Sequence, residues 1–258
     1  MKIGAQLYTV RNYCKTTEEL EDTLRRVAEI GYSTVQLSGV CDYDPVWMSG
    51  VLRKYRLHAD ITHFNYNRVA HDTAATIAFH NKMKCRFIGI GSIPDFKKNG
   101  CRREDLDAFI VDIAPAVHEI AASGNHKFMY HNHNMEFVRH DGKTYLDILC
   151  EAFPADRFGI TLDTYWVQAG GGDPAWWIRR LKGRVDCVHF KDMVYSGEDK
   201  AVRMAPVGYG NMNYPEIVRA CRAAGVKYAY VEQDHCYDDD PFECLKLSYD
   251  YLRSLGLS

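Results

Sequence analysis

The sequence predicts an α/β protein folded as a single (β/α)8 TIM barrel, with residues 1–258 forming one domain. Three observations carry this prediction. Short β-prone apolar runs alternate with longer amphipathic runs, giving roughly eight β/α units. A length of 258 residues suits one such barrel, and no linker or low-complexity stretch divides it. Finally, polar residues gather where the β-prone runs end, above all in the second half of the chain. Asp163, His189 and Glu232 each close such a run, and Tyr130-His131-Asn132-His133-Asn134-Met135-Glu136-Phe137 follows another.

The elements follow in order. Ile3 to Tyr8 is strand-like. Thr16 and Glu19 stand at capping-box spacing and open a helix. Leu20, Leu24, Val27 and Ile30 continue it at helical spacing until Gly31 stops it. Thr34 to Leu37 is the second strand. Asp44 caps a helix from Pro45 to Tyr55, with the proline at its first position. Leu57 to His63 is the third strand, Asp72 to Lys82 a helix and Cys85 to Ile90 the fourth strand. Arg103 to Ser123 is the longest helix, which Pro115 either kinks or divides, and Gly124 ends it. Lys127 to His131 is the fifth strand, followed by a helix from Tyr145 to Phe153. Phe158 to Leu162 is the sixth. Asp173-Pro174 caps the helix Ala175 to Leu181. Val185 to Phe190 is the seventh strand. Asp192 to Tyr214 reads as a long loop, suited to a lid or to a plain surface connection. A helix from Tyr214 to Ala224 stops at Gly225. Lys227 to Val231 is the eighth strand, and Pro241 to Leu255 closes the chain.

Composition removes several classes of function. A formal net charge of −2 argues against a broad nucleic-acid footprint. No apolar run approaches the length of a membrane span, and the N-terminus turns polar too soon for a signal peptide. Nine cysteines without a Cys-x-x-Cys read as reduced thiols of a cytoplasmic protein.

In a TIM barrel the loops after the strands build the active site. The polar residues there are Gln6 and Tyr8, Gln36, His63, then His131, His133 and Glu136. Asp163 and Trp166, His189, Lys191 and Asp192, and Glu232, Gln233 and Asp234 follow. A glutamate, an aspartate, a histidine and a second glutamate at neighbouring strand ends can surround one divalent cation. The remaining histidines, including His80 and His126, carry no pattern and read as surface or helix residues. Gly208-Tyr209-Gly210 offers backbone N–H groups to an anion, a weak signal.

Several pieces in order resemble the xylose-isomerase-like TIM barrels, a family of sugar phosphate isomerases and epimerases. They are Gly4-Ala5-Gln6-Leu7-Tyr8, Gly31-Tyr32-Ser33-Thr34-Val35-Gln36-Leu37, Tyr130-His131-Asn132-His133 with Glu136-Phe137, and Leu162-Asp163-Thr164-Tyr165-Trp166. Asp173-Pro174, His189-Phe190-Lys191-Asp192, Val207-Gly208-Tyr209-Gly210 and Val231-Glu232-Gln233-Asp234 complete the set. The resemblance implies one divalent ion (Mn²⁺, Mg²⁺, Co²⁺ or Zn²⁺) held by a strand-five carboxylate, Asp163, His189 and Glu232. The chain departs from the family pattern at His131, where many members have Glu, and at Gln36, where many also have Glu. Glu136 is the favoured strand-five ligand, with His131 or His133 as the alternatives.

The expected activity is isomerisation or epimerisation of a sugar or sugar derivative, by proton removal beside a carbonyl through an enediolate. His133 is the expected base with His131 as its partner, and Glu232 is the alternative. Tyr8, His63, Trp166, Lys191 and Gln233 are expected to meet the substrate. A metal-dependent lyase or dehydratase on a keto-inositol or 3-keto sugar is the runner-up, since it shares the first step. An abasic-site endonuclease would need a three-zinc cluster with more ligands from the early strands, which offer mainly His63. A non-catalytic metal-binding barrel is the remaining reading. The expected partner is a small sugar, with neither nucleic acid nor membrane involved, and the aromatic content allows a homo-oligomer.

Overall fold

The computed structural model describes residues 1–258. Its first half runs β1 (Lys2–Gln6), α1 (Thr17–Ile30), β2 (Thr34–Leu37), α2 (Pro45–Lys54), β3 (His58–His63), α3 (Tyr66–His71), α4 (Thr73–Met83), β4 (Phe87–Ile90) and α5 (Arg103–Ala122). The second half begins with β5 (Lys127–His131), a short hairpin of β6 (Arg139–His140) and β7 (Lys143–Thr144), α6 (Tyr145–Ala152), β8 (Phe158–Asp163), α7 (Thr164–Ala169) and α8 (Pro174–Arg180). It ends with β9 (Cys187–Phe190), β10 (Asp192–Ser196), β11 (Ala201–Ala205), α9 (Tyr214–Ala224), β12 (Tyr228–Val231) and α10 (Pro241–Ser254). The parallel strands close in the order β1-β12-β9-β8-β5-β4-β3-β2, sealed by the pairing of Lys2–Ala5 with Tyr228–Val231. The TIM barrel expected from the alternation is therefore present.

Local chemistry sets the element ends. Thr16 Oγ1 accepts from the Glu19 N–H at 3.2 Å, and Glu19 Oε2 accepts from the Thr16 N–H at 3.3 Å, so the capping box forms. Asp44 and Asp173 cap helices that start with proline. Each such cap contributes about 1 kcal/mol. Two expectations change and a third, at Pro115, narrows. β1 ends at Gln6, and Leu7–Tyr13 turns into a 3-10 helix. Pro115 lies inside the continuous helix α5. The carbonyl it leaves unpaired is that of Val111, a residue 76% exposed, so water can satisfy it. The stretch read as a long loop contains the antiparallel hairpin β10–β11, paired from Asp192↔Ala205 to Ser196↔Ala201. The Asp192 carboxylate fixes its base by accepting from the N–H groups of Met193 (2.8 Å), Gly208 (2.9 Å), Gly210 (3.2 Å) and Met212 (3.2 Å). The anion held by the Gly208 and Gly210 amides is thus the chain's own, while the Tyr209 N–H donates to the Pro206 carbonyl.

Two cores follow from strand alternation. The larger lies between strands and helices and includes Phe128, Tyr130, Phe158 and Phe190. The smaller fills the barrel with Ile61, Phe87, Met129, Cys187 and Tyr230. Gly4 makes room for it, because a Cβ there would sit 2.5 Å from the Tyr230 ring. Below this plug Asp186 pairs with Lys127 and Lys227 at 2.8 Å each. Above it, at the C-terminal end of the strands, the interior turns polar. All the cysteines are free thiols. No helix is long and apolar enough to cross a membrane.

Candidate metal centre

Directly above the apolar plug, one side-chain atom each from His131, Asp163, His189 and Glu232 lies within 4.8 Å of the others. All four residues are buried. They come from β5, β8, β9 and the residue after β12, which are consecutive around the barrel. Strand alternation aims them: His131 follows Met129 on the inward face of β5, and His189 follows Cys187 on β9.

Contacts around the four fix which atoms face inward. His131 Nδ1–H donates to the Gly91 carbonyl at 3.0 Å, leaving Nε2 3.4 Å from Asp163 Oδ2. His189 Nε2–H donates to Gln36 Oε1 at 2.6 Å, leaving Nδ1 2.9 Å from Glu232 Oε2 and 3.9 Å from Asp163 Oδ2. The outer oxygens are spoken for. Asp163 Oδ1 accepts from the Trp166 N–H at 2.9 Å, and Glu232 Oε1 accepts from Gln6 Nε2 at 2.8 Å. Asn132 Oδ1 also accepts from the Asp163 N–H at 3.0 Å. Two imidazole lone pairs and two carboxylate oxygens therefore converge on one point.

Lys191 completes the electrostatics. Its ammonium lies 2.9 Å from Asp234, 3.0 Å from Glu232 and 3.4 Å from Asp163, and it is 1% exposed. Burial pushes the Asp163 and Glu232 carboxyls up, but Lys191 and the neighbouring imidazoles outweigh it and hold both below the usual range. Burial acts against the Lys191 charge too, yet its three carboxylates raise it above an ordinary lysine. Burial, with His131 and His189 beside it, depresses His63 well below the usual imidazole range. Burial, His131 and Lys191 bring His133 down to about 3. Burial acts against a charge on His131 as well, but Asp163 outweighs it and raises His131 above an ordinary imidazole. The site thus presents ionised carboxylates, one ammonium and three imidazoles, His63, His133 and His189, held towards the neutral form.

The other residues singled out from sequence divide into two groups. His63 stands with its ring 5.0 Å from His131 and 5.4 Å from His189. His133 lies 4.7 Å from His131 and 5.3 Å from Trp166, ring to ring, while Lys191 sits 5.3 Å over the Trp166 face. His63 Nε2, His133 Nδ1, Trp166 Nε1 and Gln233 Oε1 are buried without a partner, as is Gln36 Nε2. Tyr8 is farther out, 37% exposed, with Arg11 over its ring. Glu136, the favoured strand-five ligand, lies outside the cluster, and this corrects the expectation. Its oxygens accept from Tyr130 Oη at 2.6 Å and the His133 N–H at 2.7 Å. Tyr130 faces the outer core, so its partner is drawn to the helix side of the barrel wall. The β5 donor that converges with the others is His131. Sequence reasoning did not single out Asn132 or the Gly91 carbonyl. Asn132 sits inside the central motif, but a backbone carbonyl leaves no residue signal.

The donor set suits a divalent cation. With bonds near 2.1 Å, two ligands stand about 3.4 Å apart in a tetrahedron and at most about 4.2 Å apart in any geometry. The four atoms close to such spacings through shifts below about 1 Å. The outer hydrogen bond that each inward imidazole makes is the arrangement metal-binding histidines ordinarily have.

Residues 24–254 match the family described as "Xylose isomerase-like TIM barrel". No curated protein matches the sequence. A sugar phosphate isomerase/epimerase from Parabacteroides distasonis superposes with a TM-score of 0.80 at 20% identity, over 98% of this chain and 96% of that one. An L-ribulose 3-epimerase gives 0.74 at 15% identity, over 99% and 94%. A probable 3-DHS dehydratase involved in petrobactin synthesis, from Bacillus anthracis, gives 0.68 at 17% identity, over 98% and 99%. At these identities the likeness is one of fold.

Proposed function

Because the chain belongs to the xylose isomerase-like TIM barrel family, we propose that it is a divalent-metal-dependent isomerase or epimerase of a sugar or sugar derivative. It acts by removing a proton from the carbon beside a carbonyl. The observation that carries this reading is the convergence of His131, Asp163, His189 and Glu232 among unpartnered neutral polar atoms at the barrel mouth.

His131, Asp163, His189 and Glu232 hold the cation in this reading, and Glu136 shapes the loop that carries His133. Bound there, a divalent cation supplies the Lewis acidity that stabilises an enediolate. His133 takes the proton. Its Nδ1 has no partner, and a pKa of about 3 keeps the imidazole neutral at pH 7. Burial, His131 and Lys191 oppose the charge that arrives on it, and Asp163 and Glu232 offset part of that opposition. Glu232 is the poorer base, because Gln6, His189 and Lys191 already engage its oxygens. Gln36, His63, Trp166 and Gln233 offer their free atoms to substrate hydroxyls, and Tyr8 lines the rim.

The test is a panel of free and phosphorylated aldoses and ketoses incubated in deuterium oxide with Mn²⁺, Co²⁺ or Zn²⁺. The expected product is an isomer of unchanged composition apart from one solvent deuterium on carbon. His133→Gln should lower turnover by about 100-fold or more without changing the metal bound per chain. Turnover that survives complete chelation would overturn the reading. A product that has lost water would move the function to a lyase or dehydratase sharing the same proton removal.

A further inference from the structure

We infer that this centre selects a nitrogen-accepting transition cation of the zinc, cobalt or iron class over Mg²⁺ and Ca²⁺, and that His131 sets the selection. The inference rests on the metal-binding part of the proposed function and deepens it.

Three features point the same way. Half of the inward donor set is imidazole nitrogen, supplied by His131 and His189. Mg²⁺ and Ca²⁺ favour shells of oxygen, whereas imidazole suits zinc, iron, copper and nickel. The His131 donor is not adjustable. The Gly91 carbonyl only accepts, so the Nδ1 atom 3.0 Å from it carries the proton and the lone pair of Nε2 is turned inward.

The two carboxylates cannot make up the oxygen deficit. Each has one oxygen committed outward, Asp163 to the Trp166 amide at 2.9 Å and Glu232 to Gln6 at 2.8 Å. Bidentate coordination, on which large oxygen shells draw, would have to share those oxygens with these donors.

The field is also weaker than the carboxylates alone would make it. The Lys191 ammonium lies 3.0 Å from Glu232 Oε2 and 3.4 Å from Asp163 Oδ2, the two inward oxygens. A hard cation held mainly by charge competes with that ammonium directly. A cation that gains from nitrogen bonding loses less to it. A carboxylate in place of His131 would return both an oxygen donor and a negative charge to the centre.

The experiment is equilibrium dialysis of chelator-stripped protein against ZnCl₂, MgCl₂ and CaCl₂, for wild type and His131→Glu, with metal counted by mass spectrometry. Wild type should bind about one Zn²⁺ per chain and leave the Mg²⁺ and Ca²⁺ sites unfilled at millimolar concentration. His131→Glu should narrow the Zn²⁺:Mg²⁺ affinity ratio on the order of 100-fold. An unchanged ratio, with Zn²⁺ still bound, would overturn the role of His131 while leaving the metal site standing. Absence of every metal from wild type would overturn the site itself. A second measurement does not depend on the variant folding. Electron paramagnetic resonance of Cu²⁺-loaded wild type should show superhyperfine coupling to two imidazole nitrogens, and coupling to one would also sink the inference.

Discussion

At the residue scale, Lys191 lies outside the proposed ligand set but carries the charge balance beside it. It is buried and balances Asp163, Glu232 and Asp234 together. Removing one partner from a buried ionic group costs about 3–5 kcal/mol, because the remaining charges stay desolvated. Lys191→Met should therefore lower the unfolding midpoint of chelator-treated protein by roughly 10 °C. Saturating Zn²⁺ should restore most of that loss, since the cation supplies charge to the same oxygens. Differential scanning calorimetry with and without metal checks this, and an equal loss in both conditions would separate Lys191 from the metal charge. The same scale shows what the sequence marks and where it stops. The residues Asp163, His189 and Glu232, whose side chains the structure brings together, were legible because each ends an apolar run. The choice between His131 and Glu136 was not, because β5 is buried on both faces and its sequence has no polar–apolar alternation to mark the inward side.

Elements repeat the lesson. Capped helices with a clear apolar stripe were legible from sequence, α1 and α9 among them. The helices α3 and α7 and the hairpins β6–β7 and β10–β11 were not, because six-residue helices and isolated two-stranded hairpins are marginal on their own and leave little local pattern. His80 shows what those contacts do. It reads as a helix or surface residue, yet on α4 it is fully buried. Its Nδ1–H donates to the Thr76 carbonyl at 2.7 Å, and Nε2 meets Thr62 Oγ1 of β3 at 2.8 Å. Burial brings its pKa down to about 4 from 6.5. A depressed imidazole means that the unfolded chain binds a proton the folded chain refuses. Stability from this group is therefore complete above about pH 6.5 and falls as the pH drops towards 4, by up to about 3 kcal/mol. Urea unfolding at pH 7.5 and pH 5 should show a larger acid loss in wild type than in His80→Gln, whose amide keeps a donor and an acceptor but does not titrate. Equal acid losses in the two proteins would assign the pH dependence elsewhere.

For the whole molecule, the division of labour around the barrel decides what metal removal does. The four candidate ligands belong to adjacent strands in the order β12-β9-β8-β5, while β1, β2 and β3 contribute Gln6, Gln36 and His63. A cation that binds only the folded chain stabilises it by about 2.7 kcal/mol at a hundred times its dissociation constant. In a chain of this size that raises the midpoint by roughly 5–10 °C. Hydrogen exchange gives the finer reading. Amides that exchange only through global unfolding gain the same protection wherever they lie, since they share one equilibrium. Amides that exchange through local opening gain only where the cation bridges the strands that open. Extra protection on adding Zn²⁺ should therefore appear at the C-terminal ends of β5, β8, β9 and β12, and β4, which supplies no ligand, should show only the global gain. An excess spread evenly around the barrel would mean that its closure opens and shuts as one unit. In that case the metal would act on the fold as a whole and not on the four strands that hold it.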